Sequence, residues 1–340
     1  MRRRFTIHKD FTKPININNY LTIEAHEDGL TASLSVNACE YCVDGDGNWK
    51  TLSAETATES INSGHTLSFR GELTPNDING IGNFTINKKC NLKGNCMSML
   101  FGDNAANNYS LSGKDYAFYK LFNNCRKIVN VDSNFLPATT LAHHCYYSMF
   151  DDCINLTTAP ELPATTLVYS CYYYMFKDCA SLTKAPKLPA TTLENYCYSN
   201  MFQNCTSLIT APVLPATTLA NNCYASMFKG CASLTTAPEL PATTLASGCY
   251  YCMFKGCASL ITAPVLPATT LAIYCYQEMF NGCTNLNYIK CLATDISASS
   301  CTYNWVNGVA ATGTFVKASS MTSWTTGVSG IPQGWTAQNV

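Results

Sequence analysis

The chain has 340 residues, 13% of them charged, with a net charge near −1, 20 cysteines and 20 tyrosines. So balanced a charge excludes an electrostatic grip on nucleic acid or anionic lipid. No run of about 18 apolar residues occurs, which excludes a membrane-spanning helix.

Arg2, Arg3 and Arg4 make a short basic start, but Phe5 to Lys9 is too polar for the apolar core of a signal peptide. Residues 1–97 then show short alternating runs at Tyr20–Ala25, Thr31–Val36, Trp49–Leu52 and His65–Arg70, separated by Asp-Gly and Asn-Ser-Gly turn signals. This is the pattern of a small antiparallel, sandwich-like β-domain. Cys39 and Cys42 have the spacing of a redox pair, but they lie in a predicted strand without a βαβ setting. Asp44-Gly45-Asp46-Gly47-Asn48, with Glu55 further on, resembles a calcium loop, yet Trp49 stands where such a loop requires glycine. A hairpin turn built on Asp-Gly is the simpler reading, and no metal or cofactor site is expected.

Residues 98–135 read as degenerate repeats, with Leu121-Phe122-Asn123-Asn124-Cys125 anticipating the motif that follows. From Leu136 the chain writes almost the same 26 residues six times, opening L-P-A-T-T-L at Leu136, Leu162, Leu188, Leu214, Leu240 and Leu266 and ending on M-F-x-x-C. A fixed period of this length marks units that bury their apolar faces only against their neighbours. Advancing about 100° per residue from Leu141 places Leu141, Cys145, Met149, Cys153, Ala142, Tyr146 and Phe150 on one half of a helix. The residues that change between copies, represented by His143, His144, Tyr147, Ser148 and Asp151, fall on the other half, which is expected to face solvent. Thr139 or Thr140 would cap the start of that helix, and Asp152 or its counterparts its end. The remaining S-L-T-x-A-P-x-L-P piece carries two prolines and cannot be helix interior, so an extended segment with a short parallel strand is expected. Glu161, Lys187, Val213, Glu239 and Val265 would line its outer face.

The expected fold is therefore an α/β solenoid of 26-residue strand–helix units over 136–291, preceded by the β-sandwich-like domain and closed by a degenerate repeat and cap over 292–340. In the cap, Cys301, Trp305 and Val306 keep the 26-residue spacing. The repeat resembles the leucine-rich repeats of BspA-like surface proteins of host-associated anaerobic bacteria, whose units follow L-x-x-I-x-I-P-x-x-V-x-x-I-G-x-x-A-F-x-x-C. L-A-x-x-C-Y-x-x-M-F-x-x-C stands here for the second half of that unit. The likeness covers about half the chain, with weaker echoes at 94–104 and 330–335.

That resemblance implies a non-enzymatic surface adhesin or recognition module that binds a host or bacterial surface protein or a glycan, at the cell surface or outside it. The alternative is a structural spacer or a phage virion component that presents the N-terminal domain. The candidate binding residues are the five on the extended segments and the outward tyrosines Tyr147, Tyr169, Tyr173, Tyr196, Tyr251 and Tyr274. Tyrosine gives large contact area at low entropic cost. Twelve cysteines recur at two fixed places, Cys145 and Cys153 and their counterparts. Within a unit the pair is about 12 Å apart on a helix, too far for a disulfide, so they read as buried free thiols. No catalytic constellation appears, since an active site needs unlike groups converging.

Overall fold

The computed structural model describes residues 14–76, 79–322 and 324–340. The basic start Arg2–Arg4 and the polar run Phe5 to Lys9 lie outside the described residues. Seven strands fold first: β1 (Leu21–Ala25), β2 (Ala32–Leu34), β3 (Cys39–Val43), β4 (Lys50–Leu52), β5 (Thr66–Arg70), β6 (Phe84–Ile86) and β7 (Cys90–Gly94). They precede a single turn of α-helix, α1 (Ser98–Phe101), and β8 (Ile128–Val131). The main sheet runs β4-β3-β5-β1-β7-β8, antiparallel except for the last pair, and β2 pairs with β6 in a second, two-stranded sheet. Leu21, Ile23, Leu67, Phe69 and Leu92 form its core. The Asp-Gly segment makes the turn between β3 and β4. There the Asp44 carboxylate accepts from the Thr66 amide at 2.8 Å, and Asp46 accepts from the Asn48 amide at 2.8 Å.

The expected strand–helix α/β solenoid does not form. Among the described residues α1 is the only α-helix, and its four residues lie ahead of the repeats. The strands gather in sheets near the two ends and not in one sheet along the array. Residues 142–153 and their counterparts, expected as helices, are instead chains of overlapping turns. In one unit the amides of Cys145, Tyr147, Met149, Asp151 and Cys153 donate three residues back, at 3.1–3.3 Å, to the carbonyls of Ala142, His144, Tyr146, Ser148 and Phe150. The alternate amides, His144, Tyr146, Ser148, Phe150 and Asp152, donate to the next unit, for example Tyr146 to Cys171 at 3.0 Å and Asp152 to Lys177 at 2.8 Å. An α-helix would keep all of these bonds internal. Here half of them join neighbours, so no unit is satisfied alone.

The cause lies in the spacing. Leu141, Cys145, Met149 and Cys153 repeat every four residues, as do Ala142, Tyr146 and Phe150. On a helix of 3.6 residues per turn that row drifts by about 40° at each step. The chain removes the drift by placing one residue in four in the left-handed region: His144 at φ 54°, Ser148 at 50° and Asp152 at 62°, with counterparts in later units. Each such residue costs about 1 kcal/mol when it is not glycine. The bonds and contacts between units offset that cost.

Inside the coil, side chains stack from unit to unit. One row runs Phe122, Phe150, Phe176, Phe202, Phe228, Phe254, Phe280, with ring centroids 5.6–5.8 Å apart and nearly parallel. A second runs from Phe118 through Tyr146 and its counterparts to Tyr276. Phe84 of β6 covers the first row at its start. At the far end Trp305 meets both rows, and Trp324 stacks on it at 5.6 Å. All 20 cysteines are buried and free. Those of the Cys153 row also complete the backbone, each thiol donating to the phenylalanine carbonyl of the preceding unit, as Cys179 does to Phe150 at 3.1 Å and Cys231 to Phe202 at 3.0 Å.

The extended segments pair through single parallel bridges, Asn130 to Thr158, Thr158 to Lys184, Lys184 to Thr210 and Thr210 to Thr236. Prolines such as Pro160 and Pro163 remove the donors that longer strands would need. This row starts at β8, so it continues the N-terminal sheet. At the end of the last unit β9 (Tyr288–Cys291) joins β10 (Thr314–Lys317) and β11 (Thr336–Asn339), which follow the repeats, in a parallel sheet in the order β11-β10-β9.

The turn coil makes a prediction opposite in sign to that of a helix. Ser226 sits at φ 54°, so Ser226→Gly should stabilise by about 0.5–1 kcal/mol, whereas in a helix interior the same change would cost about 0.5 kcal/mol. Gly256→Val, at φ 76° with the nearest described heavy atom 3.7 Å from the added Cβ, should cost about 1–2 kcal/mol by strain alone. Denaturant midpoints of the two variants decide between the coils, and destabilisation by Ser226→Gly would sink the turn assignment.

Candidate recognition surfaces

The candidate binding residues fall on two different segments of the coil. Glu161, Lys187, Val213, Glu239 and Val265 are all exposed on the extended segments, one per unit. The tyrosines lie on the turn coil, and most are half-buried because they pack on each other. Tyr147 stacks on Tyr119 at 4.9 Å and on Tyr173 at 5.0 Å, while Tyr169 and Tyr173 both meet Tyr196. The structure thus brings Tyr147, Tyr169, Tyr173 and Tyr196 together, joined by Tyr116, Tyr174 and His144. Tyr251 and Tyr274 lie units away from this group. Since the ring faces of Tyr119, Tyr147 and Tyr173 cover one another, this patch offers edges and hydroxyls to a partner more than flat platforms.

Burial leaves its mark on this patch. His144, stacked on Tyr116 at 4.6 Å, is pushed below the usual histidine value by burial, and its Nδ1 has no hydrogen-bond partner among the described residues. Burial, then the hydrogen bond with Tyr174, holds the Tyr173 hydroxyl well above its ordinary range. These side chains stay uncharged at neutral pH. Lys177 lies between Asp151 at 3.4 Å and Asp178 at 2.5 Å and ties two units together.

The extended segments present a more open surface. Val213 is 77% exposed, and Ile209, Ile261 and Val265 are each about half exposed. A groove of about 870 Å³ lies between the second and third segments, bordered by Lys184, Lys187, Ile209, Val213 and four prolines. A smaller one of about 380 Å³ lies between the fourth and fifth, bordered by Glu239, Val265 and prolines. Sequence reasoning missed Ile209, Ile261 and Lys184. Two of the segments read S-L-I-T-A-P-V-L-P, at 207–215 and 259–267, so isoleucine and valine appear together. That paired change was the available signal.

In the N-terminal sheet the Arg70 guanidinium lies over the Trp49 ring at 4.1 Å and bonds Glu40 and Asp103, each at 2.7 Å. Asp103 also accepts from the Tyr20 hydroxyl, whose pKa burial and this bond push up to about 12. The cluster fastens the segment after α1 to the sheet. Cys39 and Cys42 lie in β3, their thiols pushed up by burial to about 12 and about 11. Among the described residues, no helix is long and apolar enough to cross a membrane.

No protein-family model matches this sequence, and no curated protein matches it. Among solved structures, the chain is similar to a leucine-rich repeat protein from Bacteroides ovatus, at 17% identity and a TM-score of 0.26. The similarity covers 58% of this chain and 57% of that one, a likeness too slight to carry fold or function across.

Proposed function

We propose that the chain is a binding protein whose stacked units form an extended recognition surface for a protein or glycan, and that it acts by binding and not by catalysis. The observation that carries this reading is the contrast between a fixed interior and a varied exterior. Row after row of Cys, Tyr, Met and Phe is constant and buried, while the exposed positions differ in charge and polarity from unit to unit. The exposed aliphatic pairs Ile209/Val213 and Ile261/Val265 would gain from a partner that covers them. Thiols held protonated by burial offer no thiolate for chemistry. A role as adhesin at the cell surface is proposed on the resemblance of the repeats.

Variants with six, four and two central units, each keeping both ends, should bind a panel of matrix proteins and glycans with affinity that falls steeply as units are lost, because linked contacts add through effective concentration. A second reading has one observation in its favour. The row of bridges continues the N-terminal sheet through β8, so the array also suits a mount for that sheet. Binding undiminished with two units, or residing in the N-terminal sheets alone, would favour the mount.

A further inference from the structure

We propose that the exposed edge of the extended segments docks an amphipathic α-helix of a partner protein, laid along the stack with one helical turn against each unit. The proposal rests on the binding reading above and supplies its partner chemistry.

Three observations lead to it. First, the edge carries an ordered sequence of chemistry. From the first segment to the fifth, one exposed position reads Glu161, Lys187, Val213, Glu239, Val265: negative, positive, apolar, negative, apolar. Lys184 reinforces the positive segment, and Ile209 and Ile261 reinforce the two apolar ones. Second, this chemistry is unspent. None of Glu161, Lys184, Lys187 or Glu239 takes part in an ion pair among the described residues, and the two grooves beside Val213 and Val265 are open. Water-exposed aliphatic side chains set between unpaired charges gain most from a partner that covers the first and neutralises the second.

Third, the spacing selects the shape of the occupant. Parallel bridges hold successive segments about 4.8 Å apart, and the ring rows behind them are spaced at 5.6–5.8 Å. An α-helix rises about 5.4 Å per turn and so places one side chain against each unit. A β-strand presents same-face side chains about 6.7 Å apart, and a polyproline helix rises about 9.3 Å per turn, so both fall out of step within two or three units. Among the described residues α1 is the only α-helix, and it is four residues long and sits against the N-terminal sheet, so none of them supplies the helix, and the proposal commits to one from another protein. The complementary helix carries, on successive turns of one face, a basic, an acidic, an apolar, a basic and an apolar residue.

The probe is a synthetic helical peptide of about five turns with Lys, Asp, Leu, Lys and Leu on successive turns, made in both chain directions. Its binding is followed by fluorescence anisotropy against the whole chain. The decisive protein variant combines Ile209→Thr with Val213→Glu. It gives the third segment the residues of the fourth, Thr235 and Glu239, which the fold already accommodates. One peptide direction should bind saturably. The double variant should weaken it about tenfold or more, and reversing the fourth-turn Lys, which faces Glu239, to Glu in the peptide should weaken it about tenfold. A proline in the middle of the peptide should abolish binding.

Absence of saturable binding in either direction, or equal binding by the double variant, would overturn the proposal. Equal binding of the proline peptide would also overturn it, by showing that an extended chain suffices. These results leave the array reading to its own test, since loss of matrix or glycan binding with unit number does not depend on the peptide.

Discussion

Raising the pH from about 8 to about 10 under reducing conditions is expected to unfold the repeat array in one cooperative step. An ordinary thiol titrates at 9.0, and burial pushes Cys145, Cys223, Cys275 and Cys283 up to about 12, with the rest of the twelve ladder thiols raised as well. The sign follows directly. In the fold each thiol keeps its proton, whereas the unfolded chain releases its protons above pH 9. Stability is therefore fully present below about pH 9 and falls as the pH rises toward the folded values. At pH 10 each thiol favours the unfolded chain by about 1.4 kcal/mol. Twelve of them together contribute more than about 15 kcal/mol, which exceeds the whole stability of a typical domain. Far-UV circular dichroism and thiolate absorbance, recorded together, test this. Thiolate appearing near pH 9 with the fold intact would mean that the ladders are accessible, and an unchanged fold at pH 11 would mean that burial costs them little. At neutral pH the same thiols should resist alkylating reagents until the chain is denatured.

The buried residues of each unit were legible in the sequence, but the backbone that buries them was not. Leu141, Cys145, Met149 and Cys153 lie inside, as their constancy implies, because two-in, two-out alternation fits both a helix and a coil of turns over three turns. What separates the two is the drift of a four-residue row on a helix of 3.6 residues per turn. That signal was present in the spacing. The residue types obscured it: Gly230, Gly256 and Asn204 are natural in left-handed conformations, but Ser148, Tyr174 and Glu278 are not, and nothing in their chemistry announces φ values of 50–57°. They are held there by bonds from neighbouring units, a long-range cause that no local pattern contains. For the same reason Ser148 and Ser226, on the half expected to face solvent, are buried.

The surfaces divide along similar lines. Glu161, Lys187, Val213, Glu239 and Val265 are exposed because prolines on either side fix an extended segment whose alternate residues point outward, and that depends on local sequence. The tyrosines depend on spacing between units. Tyr147 and Tyr173 stand 26 residues apart and stack at 5.0 Å only because the units do, so what reads as six separate contact residues is a clustered patch of four and two isolated rings.

Phe228→Ala should cost about 3–5 kcal/mol, the second of the two large effects expected. Phe228 is fully buried and lies between Phe202 at 5.8 Å and Phe254 at 5.7 Å, so its removal opens a cavity walled by two rings that their own backbone bonds prevent from closing it. Its amide donates to the Met253 carbonyl in the next unit, and its own carbonyl accepts from the Cys231 amide at 3.0 Å and from the Cys257 thiol at 3.1 Å. The main chain is thereby held where the ring used to be. Met227→Ala should cost about 2–5 kcal/mol for the same reason. Lys229→Ala, one residue further on at a half-exposed position outside any ion pair among the described residues, should change stability by less than about 0.5 kcal/mol. Each unit is satisfied only by its neighbours, so the loss at Phe228 should lower the denaturation midpoint of the whole array and not detach a single unit. Denaturation of the three variants, followed by far-UV signal and by tryptophan fluorescence at the Trp305 end, measures both the size and the reach of the effect. Equal losses at Phe228 and Lys229 would contradict the ring row as core, and a midpoint shift seen only by the far-UV signal would contradict its continuity to the terminal tryptophan.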